Sequence, residues 1–86
     1  MEITGVLRDK FDTKNITEKF RMREFILNHT DAKQPQDIIL QLQHDNCSSL
    51  DEIAIGTALQ VSVEIRGRVW EHKYYNTLVA TRIRVL

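Results

Sequence analysis

The sequence predicts an all-β fold, a small barrel of five strands with one short helix between the third and fourth strands. Two observations support this prediction. Apolar and polar residues alternate with a period of two along most of the chain, as they do in half-buried strands. Only one short segment, which follows the third predicted strand, has the pattern of a helix start. With 86 residues the chain is expected to form one domain, residues 1–86, since so short a chain cannot divide its apolar residues between two cores.

The first three strands are predicted from their alternation and from the residues that interrupt it. The first covers residues 2–11, where Gly5 indicates a bend or bulge. The second covers residues 17–29, and a change of phase just after Arg23 indicates a bulge there. The third starts at Pro35, because proline at the first residue of a strand costs no ladder hydrogen bond.

The helix and the last two strands complete the predicted order. Residues 49–52, SLDE, have the spacing of a capping box, which predicts a short helix that Gly56 closes. The fourth strand, residues 58–70, has the clearest alternation, and the fifth covers residues 73–86. This is the order of an OB fold, a Greek-key barrel that binds oligonucleotides or oligosaccharides across its strand face and loops. An open β-sandwich and an SH3-like barrel are the alternatives, but neither requires a helix at that place.

The chain has no net charge, but its charges are unevenly distributed. Lys and Arg together number 12, as do Asp and Glu. Residues 31–65 are strongly acidic, whereas residues 66–86 carry five basic residues and one acidic residue. A small body with this pattern can present a basic face and an acidic end.

The sequence has no sign of a membrane segment or a signal peptide. No apolar run approaches the roughly 18 residues that span a bilayer, and the amino terminus does not resemble a signal peptide. Cys47 is the only cysteine. We therefore expect a cytoplasmic protein with no membrane partner.

Cations and aromatic rings are concentrated in residues 66–76, RGRVWEHKYYN, which contain the only tryptophan and both tyrosines. Side chains of a strand alternate between its faces, so Arg66, Arg68 and Trp70 are predicted to share one face. The outer face of the fifth strand and the basic face of the second strand add further rings and cations. We predict a site for single-stranded nucleic acid, and nothing in these residues distinguishes DNA from RNA. Its residues are Trp70, Tyr74, Arg66, Arg68, Lys19, Arg21, Arg23, Arg82 and Arg84.

The magnitudes indicate that stacking alone is too weak for useful binding. Stacking on Trp70 and on Tyr74 contributes roughly 1 to 3 kcal/mol per base. Two such stacking contacts together contribute about 4 kcal/mol, which corresponds to a dissociation constant of roughly 1 mM. About four phosphate contacts would add affinity and give a log–log salt slope near about −3 for a single strand. A homo-oligomer, which is a further expectation, would add avidity.

The alternative function is a protein-interaction module or a homo-oligomer that binds no nucleic acid, because aromatic residues and arginine are also preferred in protein interfaces. An enzyme is not expected. His44 lies three residues before Cys47, but a lone cysteine in a small domain is most often a buried, small apolar residue. The histidines His29, His44 and His72 lack the spacing of a zinc site. We therefore predict no catalytic residue, no metal and no cofactor.

Residues 60–70, QVSVEIRGRVW, resemble the fourth strand of bacterial single-stranded DNA-binding proteins, in which a run of basic residues ends in a stacking tryptophan. That resemblance implies a stacking role for Trp70 and DNA as the first expectation for the ligand. The opening MEITG, the segment REF at residues 23–25, the run IILQLQHDNC and the segment RGRVW are similar to a family of short bacterial OB-fold proteins of unknown function. Single-stranded DNA-binding proteins usually continue into a disordered, acidic-tipped tail, whereas this sequence stops at Leu86, so we expect no recruitment through such a tail.

Overall fold

A computed structural model describes residues 1–30 and 33–86 of the chain. Within these residues the chain forms six strands and one 3₁₀ helix. Five of the strands are long and follow the predicted order, while β2 contains two residues and was not predicted. The elements are β1 (Glu2–Lys10), β2 (Lys14–Asn15), β3 (Arg21–His29), β4 (Gln36–Gln43), the 3₁₀ helix (His44–Leu50), β5 (Ala58–Trp70) and β6 (Lys73–Val85).

The five long strands close into a barrel. The sheet order is β1-β5-β6-β4-β3, and β1 also pairs with β3, so the order returns to its starting strand. These pairs are antiparallel except for β4 and β6, which run parallel where Gln41 lies opposite Val79. The short strand β2 pairs with the start of β3 along the edge opposite β4, the edge that β1 pairs with further along. The predicted five-stranded OB barrel is therefore confirmed, including the position of its helix between the third and fourth long strands.

The barrel interior is filled by the apolar side of each strand, and the 3₁₀ helix closes one end. Side chains three residues apart lie on the same side of such a helix, and Cys47 and Leu50 both face the core. The predicted burial of Cys47 is thus confirmed. The other buried core residues, from the strands, are Leu7, Phe25, Leu27, Leu40, Leu42, Leu59, Val61, Val63 and Ala80.

The helix begins earlier than predicted. It covers His44–Leu50 and ends where the capping-box segment was expected to start it, and no side chain caps its first turn. Tertiary contacts at its other end hold it instead. The Lys10 ammonium donates to the carbonyl oxygens of Leu50, at 2.9 Å, and Ile53, at 2.8 Å. The capping-box prediction is therefore wrong, because Ser49 lies in the last turn of the helix and Glu52 beyond its end rather than at its start. Gly56, with φ of 96°, lies in the turn before β5 as predicted.

Strand β3 contains no bulge against β4. Its register with β4 is continuous from Met22 to His29, and Arg23 lies on the inner face with Phe25. The predicted change of phase is wrong, because an arginine occupies an interior position at the end of the barrel. The first part of the predicted strand is also different, since residues 17–19 form a turn before Arg21.

Gly5 does not mark a bulge. Residues Glu2 to Val6 pair with β5 in continuous register, and the irregularity of β1 lies between Leu7 and Asp9, where β1 pairs with β3. A Cβ atom at Gly5 would overlap the carbonyl oxygen of Asn28. Glycine is required there by the close approach of the β3 backbone rather than by a bend.

A two-stranded arm extends from the barrel. The pairing of β5 with β1 ends at Ser62, but β5 and β6 remain paired as far as Trp70 and Lys73. We call residues 64–78 the arm. Its turn consists of Glu71 and His72, both with positive φ (49° and 66°), which is the backbone geometry of a type I′ hairpin.

Candidate functional site

One face of the arm carries the cations and rings of the RGRVW segment. Directly opposed residues of an antiparallel pair project to the same side. Arg66 lies opposite Thr77, Arg68 opposite Tyr75, and Trp70 opposite Lys73. The predicted common face of Arg66, Arg68 and Trp70 is therefore present. We call it the cationic face, and its members are Arg66, Arg68, Trp70, Lys73, Tyr75 and Thr77.

The cationic face contains Tyr75 and not Tyr74. Tyr74 lies opposite Val69, on the other side of the arm. The cause is a bulge in β6. Ser62 faces Arg82 but Val63 faces Ala80, so no residue of β5 lies opposite Thr81. One extra residue reverses which side chains point outward. The prediction that Tyr74 shares a face with Arg82 and Arg84 is thus wrong. The sequence signal for the bulge was the run of apolar residues Leu78, Val79 and Ala80, which interrupts the alternation.

A local contact links the second tyrosine to the basic residues. The guanidinium carbon of Arg68 lies 5.7 Å from the centre of the Tyr75 ring, a distance at which a cation is attracted to the face of an aromatic ring. Trp70, at the tip of the same row, is 62% exposed. The face therefore presents one open indole ring and one phenol ring already paired with a cation.

The cationic face borders a groove of about 350 Å³. The outer face of β3 and β4 contributes Met22, Gln41 and Gln43, and the loop between β1 and β3 contributes Ile16 and Phe20. The arm contributes Arg66, Gly67, Arg68 and Thr77. This groove combines the parts of an OB barrel that bind oligonucleotides, namely the face of the second and third long strands and the loops on either side.

Three contacts fix the groove's shape. The Arg66 guanidinium donates to the side-chain oxygen of Gln43 at 2.9 Å and forms an ion pair with Glu64 at 3.0 Å. On the loop side, the rings of Phe20 and His44 meet edge to face with centroids 5.4 Å apart. Phe20 and Gln43 were not among the predicted site residues, since an isolated aromatic in a loop and a glutamine in a strand carry no pattern of their own.

Two of the other predicted cations lie beside the groove. Arg21 donates to the Asp45 carboxylate at 3.0 Å and to the His44 carbonyl oxygen at 3.2 Å, and its side chain is half exposed. Lys19 is exposed in the turn between β2 and β3, where its amide donates to the Thr17 hydroxyl. Both cations therefore remain accessible to a ligand next to Phe20.

Arg82 and Arg84 lie outside the groove. They project from the outer face of β6 opposite Ser62 and Gln60, near Glu2. They belong to the same row of outward positions as Arg66 and Arg68, but towards the opposite end of β5. A ligand confined to the groove does not reach them, whereas a longer ligand that follows β5 does.

Arg23 is separated from the surface. Arg23 is only 9% exposed. Its guanidinium donates to the carbonyl oxygens of Phe11, at 2.6 Å, and Cys47, at 3.0 Å. It also donates to the Asp51 carboxylate at 2.7 Å. These bonds join the loop after β1 to the 3₁₀ helix. The prediction that Arg23 contacts phosphate is therefore not retained.

The remaining chemistry of the described residues is sparse. Among residues 1–30 and 33–86, no group of three or more His, Cys, Asp or Glu side chains is placed to hold a metal ion. The Cys47 thiol is buried and lies 3.6 Å from the Leu42 carbonyl oxygen. No helix in the part of the chain that the structure describes is long and apolar enough to cross a membrane.

Several solved structures have the same fold. The mitochondrial single-stranded DNA-binding protein Rim1 of S. cerevisiae matches with a TM-score of 0.81 and 18% identity, covering 100% of this chain and 92% of that chain. The N-terminal domain of PriB from Thermoanaerobacter tencongensis, described as dimeric, matches with a TM-score of 0.72 and 14% identity over 100% and 93% of the chains. A small single-stranded DNA-binding protein from Streptomyces coelicolor matches with a TM-score of 0.52 and 11% identity over 99% and 91%.

At these identities the structural likeness establishes the fold alone. No match was found among curated proteins. A family described as a domain of unknown function (DUF3127) matches residues 2–84, which is nearly the whole chain. The protein has an OB barrel similar to those of single-stranded DNA-binding proteins, and it belongs to the DUF3127 family.

Proposed function

We propose that this protein binds single-stranded nucleic acid, DNA in the first instance, in the groove beside the cationic face and without base specificity. The observation that carries the proposal is the position of Arg66, Arg68 and Trp70 with Tyr75 and Lys73 on one side of the arm, facing an OB groove. Its structural neighbours include proteins named for binding single-stranded DNA. The proposed role is binding and not catalysis.

Each class of side chain has one task in this proposal. Trp70, Tyr75 and Phe20 stack bases, because rings accept every base and the contact is worth about 1 to 3 kcal/mol per base. The cations of the arm and loop contact phosphates. Those cations are Arg66, Arg68, Lys73, Arg21 and Lys19, with Arg82 and Arg84 serving a longer strand.

The ion pairs in the structure do not oppose this role. Arg66 and its partner Glu64 are each more than half exposed, and Asp45, the partner of Arg21, is fully exposed. Exposed pairs of this kind contribute about 0 to 1 kcal/mol. A phosphate can therefore replace either carboxylate at little cost, which is consistent with a site that binds a polyanion.

Fluorescence titration tests the proposal directly, because Trp70 is the only tryptophan. An oligo-dT of about ten nucleotides, within the range one OB barrel occupies, is expected to quench Trp70 at micromolar protein in low salt. With about four phosphate contacts, a plot of the logarithm of the binding constant against the logarithm of the salt concentration should have a slope of about −3. Absence of quenching and of any salt-dependent binding would reject the proposal in favour of a protein-interaction module.

Adjacent tyrosines provide a matched control. Tyr75→Ala is expected to weaken binding of the short oligonucleotide by about 1 to 3 kcal/mol, because it removes a ring from the cationic face. Tyr74→Ala, one residue away on the opposite side of the arm, should leave that affinity unchanged. Equal losses in the two variants would show that the arm does not bind through one face.

A further inference from the structure

The side of the arm opposite the cationic face is a continuation of the barrel's interior. Inside the barrel, the inward positions of β5 and β6 form the core pairs Val61 with Ile83 and Val63 with Ala80. Beyond the barrel the same row continues without interruption. Its members there, which we call the apolar ladder, are the pairs Ile65 with Leu78, Gly67 with Asn76, and Val69 with Tyr74.

Apart from Leu78, which packs against the core, the apolar ladder is exposed in the isolated chain. Ile65 is 63% exposed, Val69 59% and Tyr74 84%. The ladder contains no ionisable charge at neutral pH, whereas the opposite face of the same two strands carries Arg66, Arg68 and Lys73. A solvated hairpin normally carries charge on an exposed face, so this distribution indicates that something apolar covers the ladder.

The size of the excess surface indicates what covers it. A compact monomer of 10.1 kDa exposes about 5,300 Å² by the usual scaling with mass. This chain exposes 6268 Å², so about 1,000 Å² is surplus to a compact monomer. One partner of a standard protein interface contributes about 800 Å². The surplus is therefore of the size that one subunit of a stable dimer buries.

We propose that two copies of this chain pair through their apolar ladders. A groove of about 570 Å³ lies at the base of the arm. Its apolar lining is Ile39, Leu40, Ile65 and Leu78, and its polar lining is Glu24, Gln41, Asn76 and Thr77. A two-fold axis near Gly67, the ladder's smallest residue, places the tip of each arm over the base groove of the second copy. Val69 and Tyr74 then fill the groove, and the Tyr74 hydroxyl donates to the Glu24 carboxylate of the second copy.

Such a pair is self-complementary, as an isologous interface requires. Each arm supplies an apolar tip and receives one, and no like charges meet because the ladder carries none. The cations and rings of the cationic face, Arg66, Arg68, Trp70, Lys73 and Tyr75, remain on the outside of both arms, while Gln41 and Thr77 line both grooves. The dimer does not depend on the proposed function, but if that function holds, the dimer presents two nucleic-acid sites in fixed relation and gains avidity for a strand that reaches both.

Sedimentation of the intact protein tests the pairing. The wild-type protein is expected at twice its chain mass of 10.1 kDa at micromolar concentration. Tyr74→Glu places a carboxylate beside the Glu24 carboxylate of the second copy and should give the monomer, whereas Tyr75→Glu, the same change on the cationic face, should keep the dimer. Val69→Lys, also exposed and outside the barrel, is a second test of the ladder. A wild-type monomer, or a dimer that survives both ladder substitutions, would overturn the proposal.

Binding measurements separate this proposal from the function it would serve. Val69→Lys adds a positive charge, so any loss of affinity cannot come from weaker attraction to phosphate. For an oligo-dT of about 30 nucleotides, long enough for two barrels, we expect it to bind about a hundredfold more weakly than wild type. Affinity for about ten nucleotides should change less than twofold. If neither oligonucleotide binds but Tyr74→Glu is monomeric, the dimer stands and the nucleic-acid function fails. If Tyr74→Glu stays dimeric while Tyr74→Ala weakens binding of the short strand, nucleic acid rather than a second copy covers the ladder.

Discussion

Arg23 and Arg21 lie two residues apart on β3, yet the structure gives them opposite roles. Arg23→Met should destabilise the barrel, whereas Arg21→Met should not. Methionine keeps most of the volume of the arginine stem, so the substitution removes mainly the three hydrogen bonds of the guanidinium to Phe11, Cys47 and Asp51.

The cost of Arg23→Met can be estimated from these partners. Cys47 is a buried residue, so its carbonyl oxygen would be left without a hydrogen bond. An unsatisfied buried acceptor costs about 1 to 3 kcal/mol. The Phe11 carbonyl belongs to an exposed residue and regains water, so its loss costs less. The Asp51 side chain is 58% exposed, which limits the ion pair to about 1 kcal/mol at most. Together these losses amount to about 3 kcal/mol, a large part of the roughly 4 to 13 kcal/mol typical of a domain this size.

Urea unfolding followed by circular dichroism measures this change, because Trp70 lies in the arm and does not report on the core. For a small domain the free energy of unfolding falls by about 1 kcal/mol per molar urea. The urea concentration at the midpoint of unfolding should therefore fall by about 3 M. Arg21→Met should change the free energy of unfolding by less than about 1 kcal/mol, since Arg21 pairs only with exposed groups. If both variants unfold like wild type, or if Arg23→Met weakens oligonucleotide binding without loss of stability, the interior assignment of Arg23 is wrong.

Two further substitutions test the arm and the barrel separately. Gly5→Ala should lower the free energy of unfolding by about 1 to 3 kcal/mol, because the added methyl overlaps the Asn28 carbonyl and forces the strands apart; a variant as stable as wild type in urea would show that the strands yield freely. Replacing Glu71 and His72 by Asn-Gly should increase the protection of the arm's amides from hydrogen exchange. Asn-Gly favours the type I′ turn, in which both residues have positive φ. Amide hydrogen exchange across β5 and β6 would report it, and unchanged protection would indicate that the turn is not strained.

The strands were predictable where one side of each faces a continuous core. In β5 the alternation of Leu59, Val61 and Val63 is a direct consequence of burying every second residue, so both ends of this strand were predicted correctly. The same rule failed in β6, because it assumes that no residue is inserted. Thr81 breaks the alternation, and every position between the bulge and the tip then points the other way, which exchanges Tyr74 for Tyr75.

The site was predictable in part for the same reason. Arg66, Arg68 and Trp70 lie on one unbroken strand, so local alternation was enough to group them. Phe20 and Gln43 belong to segments distant in sequence, and only closure of the barrel brings them to the groove. Arg23 was misassigned because a basic residue on a strand is usually exposed, and nothing local shows that carbonyl oxygens from a loop and a helix will surround it.

The sequence by itself determined the strand order, the position of the single helix in that order and the concentration of cations and rings near Trp70, because these depend on patterns within one segment. The tertiary structure decided which of those side chains meet. Barrel closure buried Arg23 and formed the groove, and the bulge at Thr81 selected Tyr75. It also decided that β5 and β6 continue beyond the strands that cover them, which leaves Ile65, Val69 and Tyr74 exposed. Coverage by neighbouring strands is a property of the whole fold, so a core-like alternation in the sequence cannot reveal where the core ends.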